Sequence, residues 1–311
     1  MRSKFLASIA AAMLCTLLAG QEPVNPAAPI ARHDDLQSIR LLVRQQQFGQ
    51  AERELNSVIA AKPQSSEALY LLAFVYFRQD RPAESLKTAT RAAAIRQPMA
   101  DDLKIVGLDY ALLNDYVSAA KYLRIAIERE PNNGEALYHL GRVLYVQNRF
   151  DEAIAMFRRV LALDPNDVKA MTNLGLALEG KNESNAAIRV YREAVESDKA
   201  AAKHTERPYY ELGRLLAVRG DTAESSGLLR RATELNPRCA ECFVELGKCQ
   251  SNSGEFAAAR RSLERAVAVD DGNVAAHYAL ARVYKRLQLV DLAAKELART
   301  EELNQRRDKA Q

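Results

Sequence analysis

The chain has 311 residues, of which 48% are hydrophobic and 27% are charged. This composition supplies enough apolar side chains for a large core and excludes an intrinsically disordered chain. The formal net charge is +4, and removal of Arg2 and Lys4, which lie in an N-terminal segment that we expect to be cleaved, leaves +2. So small a surplus argues against a nucleic-acid-binding protein, because such proteins concentrate basic residues on one face.

Residues 1–20 have the organisation of a secretory signal peptide. Arg2 and Lys4 are followed by an apolar run from Phe5 to Leu18 and then by small residues, as in a cleavable signal. The alternative is an uncleaved membrane anchor, but the run is shorter than the roughly 20 residues that a spanning helix needs. Gln21 stands where a bacterial lipoprotein would have cysteine, so lipid anchoring is doubtful. We expect export to the periplasm or cell envelope, with no transmembrane span in the mature chain.

Three prolines after the N-terminal region mark a fixed period. Residues 21–31 are rich in proline and are expected to form a linker. Beyond them, Pro63, Pro131 and Pro165 are separated by multiples of 34 residues. A frame of 34 residues fitted to these prolines gives units 1–5 over 32–201, an insertion at 202–205, units 6–8 over 206–307 and a polar tail at 308–311. Positions within each unit are numbered from 1 to 34.

Several positions of this frame carry the same kind of residue in successive units. Position 7 is large and apolar and position 8 is small, as in Leu140-Gly141 and Leu174-Gly175. Position 20 is small in every unit. Because positions 4, 7, 8 and 11 lie on one face of a helix, the pattern predicts a first helix that a second helix approaches closely. Position 24 is small only at Ala89 and is otherwise Leu55, Leu123, Phe157, Tyr191, Leu229, Leu263 and Leu297.

These recurring residues resemble the tetratricopeptide repeat family. The resemblance covers nearly everything from Arg32 onward, with the clearest unit at 134–167 and a degenerate first unit. It implies an all-α fold, a right-handed superhelical α-solenoid of about eight helix-turn-helix units. A single hairpin cannot bury both of its faces, so each unit needs its neighbours. The polar segment 301–309 is expected to cap the array.

The resemblance also implies a concave groove that binds peptides or partner helices. Tyrosine and arginine, which are enriched at binding hot spots, recur at the positions that line this groove in the family. Because arginine binds carboxylates in a bidentate manner, we expect a protein or peptide partner with acidic groups. The alternative is that these are ordinary solvated side chains. The groove candidates are Arg40, Arg44, Tyr70, Arg78, Tyr138, Arg142, Tyr145, Asn173, Arg207, Tyr210, Arg214, Lys248, Tyr278 and Arg282.

Three cysteines form a C-x2-C-x6-C cluster near the start of unit 7. Cys242 and Cys249 occupy positions 3 and 10, where other units have small or apolar residues, so packing as small hydrophobes is the favoured interpretation. A disulfide between Cys239 and Cys242 is the next alternative for an exported protein. The cluster has no fourth ligand at a familiar zinc spacing. No cofactor or metal is therefore expected.

No catalytic motif accompanies the repeats. The chain has no phosphate-binding loop and no H-E-x-x-H or G-x-S-x-G motif, and the repeats occupy almost all of it. We therefore expect a scaffold or adaptor of the bacterial envelope that binds another protein, and not an enzyme. The alternative is a carbohydrate-binding accessory protein of an exopolysaccharide or secretion system, in which groove tyrosines would stack on sugars. The oligomeric state is not predicted by the sequence.

Overall fold

A computed structural model describes residues 35–310, and this part of the chain folds into sixteen α-helices. The signal peptide, the linker and the start of unit 1 lie outside the described residues. The first helix of each unit (the A helix) is α1 Asp35–Arg44, α3 Ser66–Arg78, α5 Ala100–Leu112, α7 Gly134–Val146, α9 Val168–Gly180, α11 Arg207–Arg219, α13 Ala240–Asn252 or α15 Val274–Arg286. The second helix (the B helix) is α2 Phe48–Ala61, α4 Pro82–Ala93, α6 Tyr116–Arg129, α8 Phe150–Leu163, α10 Ser184–Ala200, α12 Thr222–Leu235, α14 Phe256–Val269 or α16 Val290–Ala310.

The predicted all-α solenoid is confirmed. Helix A packs against helix B within each unit, each B helix packs against the next A helix, and successive A helices from α3 to α15 also touch. Six A helices begin at the first residue of the 34-residue frame, and α11 begins one residue later than the frame predicts. Each hairpin is therefore covered by its neighbours, as the physics of a repeat array requires.

The A helices begin at residues that cap their first turn. The side chains of Ser65, Asn133, Asp167 and Asn273 each accept a hydrogen bond from the backbone N–H three residues later. Such caps satisfy N–H groups that have no partner inside the helix. These four cap residues all stand at position 34 of the preceding unit, and they mark where α3, α7, α9 and α15 start.

The turn between the two helices of every unit contains a residue in the left-handed region. These residues all occupy position 15, and six of the eight are not glycine. Asn148, with φ of 58°, is typical, since asparagine tolerates this conformation better than most residues. The complete set is Gln46, Asp80, Asn114, Asn148, Asn182, Gly220, Gly254 and Gln288.

The extra residues between units 5 and 6 are shared between a helix and a loop. Helix α10 has 17 residues, whereas most of the other B helices have 14, and the loop that follows it is held by Asp198. This buried carboxylate accepts a hydrogen bond from the Thr205 backbone N–H at 2.9 Å and lies 3.2 Å from Nδ1 of His204. The array continues across the insertion, because α10 and α11 pack directly against each other.

The contact between positions 8 and 24 sets how closely the two helices of a unit approach. In unit 5, a Cβ atom added to Gly175 would lie 2.3 Å from the nearest ring carbon of Tyr191. In unit 4, a Cβ on Gly141 would lie 2.7 Å from the ring of Phe157. Both aromatic rings are completely buried. The small residue at position 8 therefore makes room for the large side chain at position 24.

The cluster of buried apolar side chains is interrupted between units 2 and 3. The buried apolar side chains from Ile39 to Ala92 form one cluster, and those from Leu103 to Cys242 form another. Asp109 lies at this boundary, fully buried, at position 10, where Val75 and Val143 stand in neighbouring units. The sequence frame did not draw attention to this carboxyl group.

Burial favours the protonated form of Asp109. The Ser85 hydroxyl lies 2.8 Å from the carbonyl oxygen of Ala73 and 2.5 Å from Oδ2 of Asp109. One hydroxyl has a single hydrogen to donate, so if Ser85 donates it to Ala73, the Asp109 carboxyl must donate to Ser85. Burial raises the pKa of Asp109 to about 7, against the opposing effect of the Ser85 hydrogen bond. Oδ1 of Asp109 has no hydrogen-bond partner within the described residues.

We predict that Gly175→Ala lowers the free energy of unfolding by about 2 kcal/mol, because the new methyl group overlaps the Tyr191 ring and overpacking costs roughly 1–3 kcal/mol. Gly227→Ala is the matched control. A Cβ at Gly227 meets nothing within 4 Å, and alanine favours the helix by roughly 0.5–1 kcal/mol. Urea unfolding followed by circular dichroism should show opposite signs for the two variants. Equal effects would contradict the role given to the contact between positions 8 and 24.

We predict that Asp109→Asn makes stability less dependent on pH. The folded-state pKa of Asp109 lies above its usual value of 3.8. The folded state therefore binds more protons, and wild-type stability falls as the pH rises from about 4 through 7. Asp109→Asn cannot ionise. Its free energy of unfolding minus that of wild type should therefore be a few kcal/mol larger at pH 8.5 than at pH 4. Unfolding curves at the two pH values measure this difference, and parallel pH profiles would rule it out.

Candidate interaction groove

The A helices form one continuous layer, and their positions 2, 5, 6, 9, 12 and 13 carry the predicted groove residues. Successive A helices contact each other from α3 to α15. The side chains at these positions therefore lie side by side across several units. The structure divides them into buried side chains, ion-paired side chains and free cations.

The N-terminal part of the groove contains less free charge than its sequence suggests. Arg40 forms an ion pair with Glu67 of the next unit. Tyr70 is 8% exposed, and its hydroxyl donates to the carbonyl oxygen of Arg96 at 3.0 Å. The guanidinium group of Arg78 lies 4.8 Å from the ring centroid of Phe48. Tyr70, expected as an open groove residue, is mostly buried, because its ring packs between helices.

Arg44 ends α1 at the edge of the array. It is exposed, and it forms no ion pair with any residue in 35–310. Tyr145, another groove candidate, is half-buried and packs against Phe150, with ring centroids 5.7 Å apart. Tyr145 therefore supports the turn of its own unit more than it faces the groove.

The middle of the groove brings together four predicted residues from three successive A helices. Tyr138 and Arg142 come from α7, Asn173 from α9 and Arg207 from α11. Nδ2 of Asn173 donates to the Tyr138 hydroxyl at 3.1 Å, and the guanidinium carbon of Arg142 lies 6.0 Å from the centroid of the Tyr138 ring. These residues line a cavity of about 330 Å³.

Lys169 is a fifth member of this middle site, and the sequence reasoning missed it. It lines the same cavity as Arg142 and Arg207, together with Thr172 and Thr205. None of the residues that line this cavity is acidic. Lys169 stands at position 2 of unit 5, a groove position, so attention to lysine as well as arginine at such positions would have found it.

Burial keeps the Tyr138 hydroxyl protonated. Desolvation raises the pKa of Tyr138, although Arg142 opposes the shift. The hydroxyl oxygen accepts the Asn173 hydrogen bond, and its own hydrogen has no acceptor within residues 35–310. The site therefore offers a donor from Tyr138 beside the cations of Arg142 and Lys169.

Arg214 lies next to this site but is neutralised by two carboxylates. Its Nη2 lies 2.7 Å from Glu179, and it also lies 3.1 Å from Glu211. Burial raises the pKa of Glu211, while Arg207 and Arg214 act in the opposite direction. Glu179 in turn accepts a hydrogen bond from the Tyr191 hydroxyl at 2.7 Å. This network ties the groove surface of units 5 and 6 to the core.

The remaining groove candidates are either paired with a glutamate or exposed to solvent. Arg207 forms an ion pair with Glu211 at 2.7 Å, and its guanidinium group lies 5.8 Å from the ring centroid of Tyr210. Lys248 forms an ion pair with Glu245 at 2.7 Å. In unit 8, Tyr278 is 51% exposed, and the exposed Arg282 has no ion-pair partner among the described residues.

The sequence suggested Glu211 as an acidic neighbour of Arg207 in the groove, but the other glutamates that neutralise groove cations were missed. Glu67, Glu179, Glu211 and Glu245 stand at positions 2, 12, 6 and 6 of their units. They belong to the same face as the arginines, and a charge count over that face would have revealed them. The unpaired cations of the groove are therefore few, and Arg142 and Lys169 are the pair that lines one cavity.

A disulfide joins Cys239 and Cys242 at the start of α13. Cys242 and Cys249 are both buried, as the packing interpretation expected, but only Cys249 is a free thiol. The sulfur of Cys239 accepts the Cys242 backbone N–H at 3.1 Å. Cys239 thus occupies the cap position that Asn273 fills in the next unit.

No group of histidine, cysteine and acidic side chains in the described residues is arranged to hold a metal ion. Within the same part of the chain, none of the helices combines the length and apolar character that crossing a membrane requires.

The repeat pattern decides the family. The tetratricopeptide repeat signature matches residues 36–100, 107–168, 143–203 and 250–307. The chain belongs to the tetratricopeptide repeat family. Tetratricopeptide repeats serve in general as scaffolds that bind proteins or peptides, so this chain is a repeat protein of the interaction type.

Solved tetratricopeptide repeat structures share the fold. A fragment of MamA from Desulfovibrio magneticus RS-1 is 23% identical, with a TM-score of 0.50, over 55% of this chain and 95% of that chain. A tetratricopeptide repeat protein from Parabacteroides merdae is 17% identical, with a TM-score of 0.60, over 84% and 98%. The C-terminal part of one from Cytophaga hutchinsonii is 16% identical, with a TM-score of 0.60, over 78% and 98%. No curated protein matches the chain.

We predict that the disulfide and the helix cap at Cys239 contribute separately to stability. Cys239→Ser with Cys242→Ala removes the disulfide but keeps a capping oxygen. Cys239→Ala with Cys242→Ala removes both. The second variant should be less stable than the first by about 1 kcal/mol, the usual value of a cap. Denaturant unfolding of the two variants measures the difference, and equal stabilities would show that residue 239 does not act as a cap.

Proposed function

We propose that this tetratricopeptide repeat protein is an exported scaffold whose groove binds an extended protein segment through a carboxylate. The observation that carries the proposal is the cavity between α7, α9 and α11, which no acidic side chain lines and where Arg142 and Lys169, without ion-pair partners in the described residues, lie beside the Glu211-paired Arg207. Arg40 and Arg214 are paired with glutamates elsewhere in the groove, and a positive cavity between them favours an anionic group at one defined place. The ligand would approach the free donors of Arg142 and Tyr138.

The chemistry of the site favours a carboxylate over a neutral group. Arg142 has no acidic partner within residues 35–310, so its guanidinium can donate two hydrogen bonds to both oxygens of a carboxylate. Tyr138 supplies a further donor, whereas the hydroxyl groups of Thr172 and Thr205 already donate to the Val168 carbonyl oxygen and to Glu206. The glutamates elsewhere in the groove, including Glu179 and Glu211, would repel additional negative charges. A segment with one or two acidic residues fits better than a polyanion.

Export is supported by two independent features. The first is the signal-like sequence of residues 1–20, which lies outside the described residues. The second is the disulfide between Cys239 and Cys242, because disulfides persist in oxidising compartments such as the periplasm. N-terminal sequencing of the protein from its native envelope tests this part of the proposal. A mature chain that starts at Met1 in the cytoplasm would contradict it.

We predict that Arg142→Gln weakens binding of an acidic peptide by roughly 10- to 100-fold, the range expected for a hydrogen bond to a charged group. The probe is a peptide selected from a random-sequence display library on the purified wild-type protein. Arg158→Gln is the matched control, because Arg158 is an exposed arginine on α8 that does not line the cavity. Isothermal titration calorimetry of the three proteins gives the affinities.

The experiment also separates the alternatives. Peptides without acidic residues that bind wild type and Arg142→Gln equally well would contradict carboxylate recognition. Binding on a glycan array, combined with no selected peptide, would favour a carbohydrate-binding protein instead. Affinity that falls with rising salt for wild type, but less for Arg142→Gln, would identify the cation that contacts the ligand.

A further inference from the structure

The repeat pattern is broken at one core position that borders the groove. Position 24 holds leucine, phenylalanine or tyrosine in seven units and Ala89 in unit 2. In most of the other units this side chain packs against a glycine at position 8, as Leu123 does against Gly107. In unit 2 the residue at position 8 is Ala73, also small. Two small residues therefore face each other where a small and a large residue normally pack.

A cavity lies at the place of the missing side chain. A space of about 520 Å³ lies between α3, α4 and α5, within the range of roughly 300–1,000 Å³ that is typical of ligand pockets. Ala73 and Ala89 are 2% and 5% exposed, so they form its floor. Its apolar walls are Tyr70, Leu71, Ala73, Phe74, Ala89 and Ile105.

The cavity opens on the same surface as the carboxylate site. Its lining includes Glu67, Tyr70 and Phe74, which stand at the groove positions 2, 5 and 9 of unit 2. Met99 lies at the mouth with 60% of its surface exposed, and methionine side chains adapt readily to apolar ligands. The opening therefore faces a ligand that lies in the groove.

The charged residues at the rim already have partners. Arg40 is paired with Glu67, Arg96 with Asp102 at 3.0 Å, and Asp101 with Lys104 at 2.8 Å. The Tyr70 hydroxyl also donates its hydrogen to the Arg96 carbonyl oxygen. Recognition in this cavity therefore depends on burial of apolar surface and not on charge.

We propose that the cavity beside Ala89 binds one bulky apolar side chain, of leucine to phenylalanine size, from the segment that occupies the groove. This inference rests on the proposed function and names a second feature of the ligand. The argument for a side chain of that size comes from the repeat itself, because seven other units fill the equivalent place with Leu, Phe or Tyr. A side chain of the ligand thus takes the place of the large residue that unit 2 lacks at position 24.

The positions of the two sites set the spacing within the ligand. The apolar cavity lies between α3 and α5, and the part of the carboxylate site that holds Arg142 and Lys169 lies between α7 and α9, which is two units further along. Packed helices are about 10 Å apart, so the separation is roughly 20 Å. An extended chain covers roughly 3.3 Å per residue. The ligand therefore carries its apolar and acidic residues about six positions apart.

A direct test uses small amides as probes on the purified full-length protein. N-acetyl-leucinamide and N-acetyl-phenylalaninamide should shift the methyl resonances of Ile105 and Met99, whereas N-acetyl-glutaminamide should not. Ala89→Leu places a leucine side chain on the floor of the cavity, where the apolar group of the ligand would sit, and should abolish the shifts. The variant is expected to fold, because unit 8 already pairs Ala281 at position 8 with Leu297 at position 24. Ala89→Val, a smaller change, should reduce the shifts and covers the case in which leucine disturbs folding.

The cavity is ruled out as a binding site if the apolar amides leave Ile105 and Met99 unchanged, or if the shifts survive in Ala89→Leu. A response to a lipid or detergent probe but not to the amides would overturn the assignment to a side chain as well.

Library-selected peptides distinguish this proposal from the carboxylate site. Ala89→Leu should weaken their binding by roughly 10- to 100-fold, as expected for loss of one buried apolar side chain. Loss of affinity in Arg142→Gln alone would leave the proposed function intact and overturn the cavity. Loss in Ala89→Leu alone would support the cavity and overturn carboxylate recognition.

Discussion

The close approach of the two helices within each unit is the constraint on which the rest of the structure depends. A glycine or alanine at position 8 leaves space, and a large side chain at position 24 fills it. The distances at Gly175 and Gly141 show how little room remains. Because interiors are packed as densely as organic crystals, a change at either position is felt by both helices. In unit 2 this contact is between Ala73 and Ala89, and a cavity lies beside these two small side chains.

The period of the sequence predicted most of the fold because this packing constraint leaves a visible pattern. Proline after the B helix, small residues at positions 8 and 20, and bulky residues at position 24 together placed the start of α3, α5, α7, α9, α13 and α15 at the observed residues. The left-handed residue at position 15 recurs with the same period, but it is Asn, Asp, Gln or Gly. A search for one residue type does not detect it.

The groove was harder to predict, because its chemistry depends on pairs of side chains and not on single positions. Arg214 has the same residue type and frame position as Arg142, yet Glu179 and Glu211 are paired with Arg214 and not with Arg142. Position 9 alone carries no information about the neighbour across the unit boundary. Asp109 shows the same limit in the core, since its environment is set by Ser85 from the preceding unit. Contacts between units, which sequence reasoning on single units omits, decide these properties.

The boundary between units 2 and 3 has a mechanical consequence. A repeat array transmits stability only between adjacent units, and here the apolar clusters of the two sides are separate. Further separate clusters occur in units 6 to 8, so the core of the described residues is a series of apolar bodies. The cavity beside Ala89 lies at the first of these boundaries. A ligand side chain bound there would contact α3 and α5 at once and so couple the motions of the two bodies.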